Sequence, residues 1–267
     1  VLLNGDGKAS LDHIYTSPDP RMYFGTLRKL DYRIPQLAKP HFSRLVNQLR
    51  ARRGAVTVLD VGCSYGINGA LLRCDATMDE LYERYGGVDV SAQREDLLAR
   101  DRAMVAARRR PGGPRLIGLD VAEPALSYAC SAGFVDEAVL ADLERDEPTP
   151  AQRAQLATVD LVVSTGCIGY VTEKTIARIV EAGGDRPPWM AHFVLRMYPF
   201  NRVEEYLADL GYTTERDERV FKQRMFVSPE ERAQVIETLT EVGVDPRGLE
   251  ADGWLYAQLF ISRPGAS

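Results

Sequence analysis

From residue 56 onward, short apolar runs alternate with segments of helical spacing, and this alternation limits what the chain can fold into. Runs at 56–61, 116–121, 138–143, 160–164, 191–197 and 255–262 read as strands, and the more polar stretch 213–226 contains one. Helical spacing follows most of them, from residue 69, then over 124–132, 150–156, 173–182, 203–210 and 229–242. A strand that feeds a helix and then another strand must cross over to a parallel neighbour. The expectation is therefore a doubly wound, mainly parallel α/β sheet covered on both faces.

The remaining 53 residues at the start read as an irregular lead-in followed by helices. Residues 21–30 carry Met22, Tyr23, Leu27 and Leu30 on one side. A second helix is expected after Pro35 and Pro40, with Phe42, Leu45, Val46 and Leu49 at helical spacing. The chain divides on this reading into an N-terminal helical cap, 1–53, and a sheet domain, 54–267. Residues 73–113 are helical and polar and end in Arg108-Arg109-Arg110, which reads as a solvated face.

Composition narrows the class. Of 267 residues, 45% are hydrophobic and 27% charged, enough for a large core without disulfide or metal support. The net charge of −5 offers no electrostatic reason to bind nucleic acid or an anionic membrane. Cys63, Cys74, Cys130 and Cys167 form no C-x-x-C pair, and no histidine stands at ligand spacing from them, so no metal site is expected. Neither a membrane-length apolar stretch nor a basic region before an apolar core is present in the sequence, and a cytoplasmic protein is expected.

The chemistry concentrates in Val58-Leu59-Asp60-Val61-Gly62-Cys63-Ser64-Tyr65-Gly66, where a buried strand runs into a glycine turn. Such turns lie at the carboxyl ends of the strands, where open α/β sheets bind ligands. A dinucleotide would set a pyrophosphate over the turn, whereas S-adenosylmethionine would set a cationic amino-acid tail there. An unpaired carboxylate about 5 Å from a phosphate costs about 3 kcal/mol at an effective dielectric near 20. Asp60, two residues before the first glycine, therefore suits the ammonium better.

Asp60-x-Gly62-x-Ser64-x-Gly66 resembles the first motif of the class I S-adenosylmethionine-dependent methyltransferases, with Ser64 in place of the middle glycine. The resemblance spans roughly 54–262 apart from a helical insertion at 73–113. It implies a seven-stranded Rossmann-like sheet with a reversed last strand, and Asp60, Gly62, Cys63, Ser64 and Gly66 around the cofactor tail. An acid after the second strand would hold the ribose. Asp120, followed by Val121, is preferred to Asp89, which has the more usual spacing. Asp142 and Leu143 would meet the adenine, and Ser164, Thr165 and Gly166 would line the cofactor after the fourth strand.

The acceptor side is aromatic: Tyr15, Tyr23, Phe24 and Tyr32 in the cap, Tyr170 after the fourth strand, and Tyr198 and Phe200 after the fifth. Aromatic rings near a sulfonium favour its charge and form a dry pocket for a small-molecule acceptor, with natural-product biosynthesis as the setting. Methyl transfer chiefly demands in-line positioning, though an oxygen or nitrogen acceptor can require a base. His13 and Tyr170 are the candidate catalytic groups, and His192 reads as core. Arg33, Arg196 and Arg224 are candidates for a carboxylate.

Two other readings stand beside this one. Gly62-x-x-x-Gly66 with Tyr170-x-x-x-Lys174 resembles the short-chain dehydrogenases. Against that, Asp60 is wrong for a pyrophosphate, the last glycine position is Asn68, and Tyr170 lies too close behind the Ser164 strand. A methyltransferase-like domain that binds without transferring is the third. The sequence leaves the oligomeric state open, a homodimer included.

Overall fold

A computed structural model describes residues 11–87 and 91–265. Seven strands form one sheet: β1 (Thr57–Val61), β2 (Arg115–Asp120), β3 (Glu137–Leu140), β4 (Leu161–Thr165), β5 (Trp189–Leu195), β6 (Tyr212–Met225) and β7 (Trp254–Pro264). Their spatial order is β3-β2-β1-β4-β5-β7-β6. β1 pairs in parallel with β2 on one side and β4 on the other, while β7 runs antiparallel between β5 and β6. The chain winds one way from β1 to β3 and the other way from β4, so the reversal opens a crevice at the carboxyl end of β1.

Alternation along each strand divides the core. Val58 faces one side with Leu116, Val163 and Phe193, and Leu59 and Val61 face the other with Ile117, Val162 and Val194. The second face is covered by α7 (Pro150–Leu156), α8 (Glu173–Gly183) and α9 (Asn201–Asp209) through Leu156, Ile176, Ile179, Val203 and Leu207. The first face is covered mainly by α2 (Ile34–Arg53), whose Phe42, Leu45 and Leu49 are fully buried. Also present are α1 (Arg21–Lys29), α3 (Ile67–Cys74), α4 (Met78–Gly86), α5 (Arg94–Arg108), α6 (Glu123–Ala132) and α10 (Pro229–Glu241).

α2 differs from expectation in two ways. It begins before both prolines, with Pro35 in its first turn and Pro40 inside it. Pro40 forgoes one backbone hydrogen bond near the helix start, and burial of the Phe42, Leu45 and Leu49 side chains offsets that loss. A division at residue 53 also groups α2 with the cap, whereas its packing places it with the sheet. What stands over the strand ends is the shorter segment 11–33, with a 3-10 helix at Asp12–Ile14 and then α1.

The 73–113 segment supplies α4 and α5, and both brace that lid. Phe24 of α1 stacks on Tyr85 of α4 at 4.5 Å, and the Tyr82 hydroxyl donates to the Tyr32 carbonyl at 2.6 Å. α4 starts at a reciprocal Thr77–Glu80 capping box. α5 is pinned through Asp101, which accepts from Arg84 at 2.7 Å and from the Tyr85 and Tyr128 hydroxyls at 2.6 Å each. The arginine run is a solvated face of ion pairs, Arg108 with Glu80, Arg109 with Asp136 and Arg110 with Asp75. Among the described residues no helix is long and apolar enough to cross a membrane, and no group of three or more His, Cys, Asp or Glu side chains converges on a metal position.

Candidate active site

The crevice at the end of β1 is a cavity of about 500 Å³, walled by the glycine turn, the β2, β3 and β4 ends, and the lid. The turn needs left-handed backbone at three of five residues: Gly62 at φ 69°, Ser64 at φ 51° and Gly66 at φ 75°. Gly62 is doubly constrained, because a Cβ there would stand 2.9 Å from the Cys167 Cβ. Ser64 holds its unfavourable backbone because its N–H donates to Asp120 Oδ2 at 2.7 Å, while the Gly62 N–H donates to the Leu119 carbonyl at 2.8 Å. Gly62, Cys63 and Ser64 line the cavity.

Gly66 does not line it. It precedes α3, and a Cβ there would meet Ala129 and Phe134 at 3.0 Å, so its role is close packing behind the turn. Asp60 is also off the cavity wall. Strand alternation turns it to the Val58 side, beneath the first turn of α3, where it is buried and its Oδ1 accepts from Asn68 Nδ2 at 3.0 Å. Burial pushes its carboxyl up to about 7. Asn68 reaches the cavity wall, its Nδ2 3.2 Å from Thr165 Oγ1, and so stands between Asp60 and the cavity.

The acids after β2 and β3 both reach the cavity. Asp120 closes β2 with Oδ1 accepting from the Ala122 N–H at 2.9 Å, and burial raises its carboxyl above the usual range. Val121 beside it is 64% exposed, an apolar side chain left open on the cavity rim. Asp142 accepts from the Glu144 N–H at 3.1 Å in a side-chain turn and faces Arg145, with Leu143 buried next to it. Asp89 lies outside the described residues.

After β4 the expected trio separates. Thr165 and Gly166 line the cavity, whereas Ser164 points into the sheet, where its hydroxyl and His192 Nδ1 hydrogen bond at 2.8 Å. His192 is fully buried on β5, which depresses its imidazole to about 4 and keeps it neutral.

Of the aromatic residues, Tyr15, Tyr23, Tyr32 and Tyr170 line the cavity. Tyr15 and Tyr23 meet edge-on at 5.9 Å, and Tyr23 and Tyr32 at 6.5 Å. Thr165 and Tyr23 are polar neighbours of the Tyr32 hydroxyl, and burial raises the Tyr23 and Tyr32 phenols above their ordinary range. A hydrogen-bonded chain thus runs Asp60–Asn68–Thr165 from beneath the turn to the cavity wall, with the Tyr32 and Tyr23 phenols beyond it in the lid. Tyr198 stands outside the cavity, edge-on to Tyr170 at 6.2 Å and against Gly169. Phe24 and Phe200 belong to the core, stacked on Tyr85 and Phe260.

His13 does not meet the cavity. The 3-10 helix turns Ile14 fully inward, and its neighbour His13 is exposed to solvent. The three candidate arginines are held by protein carboxylates: Arg33 by Asp31, Arg196 by Glu250, and the buried Arg224 by both oxygens of Glu231, at 2.9 and 2.7 Å. Arg224 reaches the cavity wall with its charge already paired.

Several wall residues escaped sequence reasoning. Glu144 ties the β3 and β4 loops together, its carboxylate accepting from the Thr172 and Thr175 hydroxyls and backbone N–H groups at 2.6–3.3 Å. These bonds hold it below its usual range against the opposing effect of burial. Gln223 of β6 is buried on the wall beside Gly166 and accepts at its backbone carbonyl from the Arg33 N–H at 2.9 Å. Four buried oxygens at this site have no hydrogen-bond partner among the described residues: Asp60 Oδ2, Ser64 Oγ, Asn68 Oδ1 and Gln223 Oε1. An unmet buried polar atom costs about 1–3 kcal/mol, and the three that belong to cavity-wall residues, Ser64, Asn68 and Gln223, are the ones a hydrogen-bonding ligand could meet.

No family model matches the sequence, and no curated protein matches it. Solved structures similar to it include the plantazolicin methyltransferase BpumL in complex with SAH, at 12% identity over 86% of this chain and 84% of that one, TM-score 0.42. The CurJ carbon methyltransferase is similar at 9% identity over 87% of this chain and 54% of that one, TM-score 0.46. The magnesium protoporphyrin IX methyltransferase ChlM of Synechocystis PCC 6803 is similar at 11% identity over 84% and 82%, TM-score 0.38. These are distant likenesses. The chain's own strand order, with β7 reversed between β5 and β6 and the crevice opening at β1, is that of the class I S-adenosylmethionine-dependent methyltransferase fold.

Proposed function

We propose that this chain binds S-adenosylmethionine in the β1 crevice and transfers its methyl group to a small molecule held under the tyrosine lid. The observation that carries this reading is the set of unmet buried oxygens on the cavity wall at the glycine turn, those of Ser64 and Asn68, with the Asp60 carboxyl behind Asn68. Acceptors without donors suit an ammonium, which brings three N–H groups and a positive charge. They oppose a pyrophosphate, which is itself an acceptor and an anion.

When bound, the cofactor supplies an electrophilic methyl on a sulfonium that departs as a neutral thioether. The chain's contribution is position and exclusion of water. Asn68, backed by the Asp60 carboxyl, would meet the tail, Asp120 would hold the ribose hydroxyls, and Val121 and Leu143 would enclose the base. Thr165 and Gly166 border the reacting end, and Tyr15, Tyr23, Tyr32 and Tyr170 form a wall for an apolar or planar acceptor. Their raised phenols stay protonated at neutral pH, so Tyr23 and Tyr32 orient rather than deprotonate.

The dehydrogenase reading loses its catalytic tyrosine. Tyr170 precedes α8 in a loop, and Lys174 lies within that helix, so the two do not share a helix face. Calorimetry separates the classes: S-adenosylhomocysteine should bind with a micromolar or tighter Kd and NADPH should give no heat of binding. Binding of NADPH with no response to S-adenosylhomocysteine would overturn the proposal. Turnover of radiolabelled methyl into small-molecule extracts then distinguishes an enzyme from a domain that only binds.

A further inference from the structure

Tyr65 belongs to the glycine turn, yet its fully buried side chain points away from the cavity and into the lid. Its hydroxyl lies 2.9 Å from the Ile14 carbonyl and 2.8 Å from the Ser17 carbonyl. Its ring meets Tyr23 edge-on at 5.7 Å and Tyr128 at 6.0 Å. Ile14 and Ser17 bracket Tyr15, one of the cavity-lining tyrosines, and Tyr23 is another. The same lid turn is held from a second direction by Arg94 of α5, whose Nε donates to the Pro18 carbonyl at 3.0 Å.

Arg94 belongs to α5, outside the cofactor turn, and meets Tyr65 only indirectly, its guanidinium lying 5.6 Å from the centroid of the Tyr128 ring, whereas Tyr65 is part of the turn. Tyr65 follows Ser64, the left-handed residue whose N–H is fixed by Asp120 and whose buried hydroxyl lacks a partner. A ligand that engages Asp120 and Ser64 fixes the backbone from which Tyr65 projects. The Tyr65 hydroxyl has one proton to share between two carbonyls, so a small shift of the turn releases at least one of them.

We infer that Tyr65 is a positioning residue that couples occupancy of the cofactor turn to closure of the 11–20 lid, so the acceptor wall is completed after the cofactor binds. This rests on the cofactor reading above. The coupling is a difference in lid stability between free and liganded protein.

Hydrogen–deuterium exchange of residues 11–20 in the full chain tests it, with and without saturating S-adenosylhomocysteine, in wild type, Tyr65→Phe and Arg94→Ala. In wild type the ligand should slow lid exchange about tenfold, the size expected for satisfying one buried polar group. Tyr65→Phe should bind the ligand up to about tenfold more weakly by calorimetry, the reciprocal of the lost coupling, and exchange its lid rapidly in both states at ligand concentrations that saturate it. Arg94→Ala should exchange faster in both states but keep the ligand-induced ratio, which separates coupling from simple bracing.

Wild type that binds the ligand without slowing its lid overturns the inference, and that result needs no variant. Tyr65→Phe that keeps the ligand-induced slowing overturns it too. A wild type that does not bind the ligand refutes the cofactor reading and the coupling with it. The Tyr65 tether itself is judged by the free proteins, where equal lid exchange in Tyr65→Phe and wild type refutes it.

Discussion

At the scale of single residues, the site turns on the titration of Asp60. Its carboxyl, held up at about 7 by burial, binds a proton in the native state over a range where the unfolded chain has lost it. Its contribution to stability is therefore full below the ordinary carboxylate range and is lost as pH rises through about 7. A cationic ligand tail reverses the preference, because it favours the ionised form. Affinity for S-adenosylhomocysteine should thus rise about tenfold between about pH 6 and about pH 8, and Asp60→Asn should flatten the profile. A wild-type profile without slope over that window would show that the Asp60 charge is not felt in the cavity. The motif signalled this acid, but not that Asn68 stands between it and the cavity. Asn68 was conspicuous in the sequence only as a missing glycine, and its contact with Asp60 depends on strand alternation beneath α3.

Elements were more legible than contacts. Apolar runs and β-branched content located six strands within a few residues, whereas the largely exposed and polar β6 at the sheet edge was placed only as lying somewhere within 213–226. The start of α2 was displaced because two prolines read as breakers, whereas one falls in the first turn and the other is outweighed by burial. His13 and Ser164 fell on the right segments and pointed the wrong way. Local spacing does not fix the outward face of a single 3-10 turn or the partner of a strand-end hydroxyl. Nor did the sequence show that β6 and α10 are joined by a buried ion pair, Arg224 with Glu231, or that Glu231 also accepts from the Val227 N–H at 2.9 Å. Removing one partner strands a buried charge. Glu231→Ala should lower unfolding stability by about 3–5 kcal/mol in denaturant titration, and a loss below about 1 kcal/mol would mean the pair is hydrated.

For the whole molecule, three parts meet at one crevice. The sheet contributes a topological switch point, the 73–113 insertion contributes two helices that brace the lid, and the lid contributes the tyrosines. The division of labour follows from chain order: the lid precedes β1, and the insertion leaves the sheet immediately after α3, beside the turn. The central claim is that the turn receives a cationic amino-acid tail. A crystal structure with S-adenosylhomocysteine tests it directly. The ligand's amino group should lie within hydrogen-bond distance of Asn68 or the glycine-turn acceptors, with the ribose hydroxyls on Asp120. A ligand seated with its ammonium away from the turn, or a nicotinamide dinucleotide whose pyrophosphate covers Gly62–Ser64, would contradict the account.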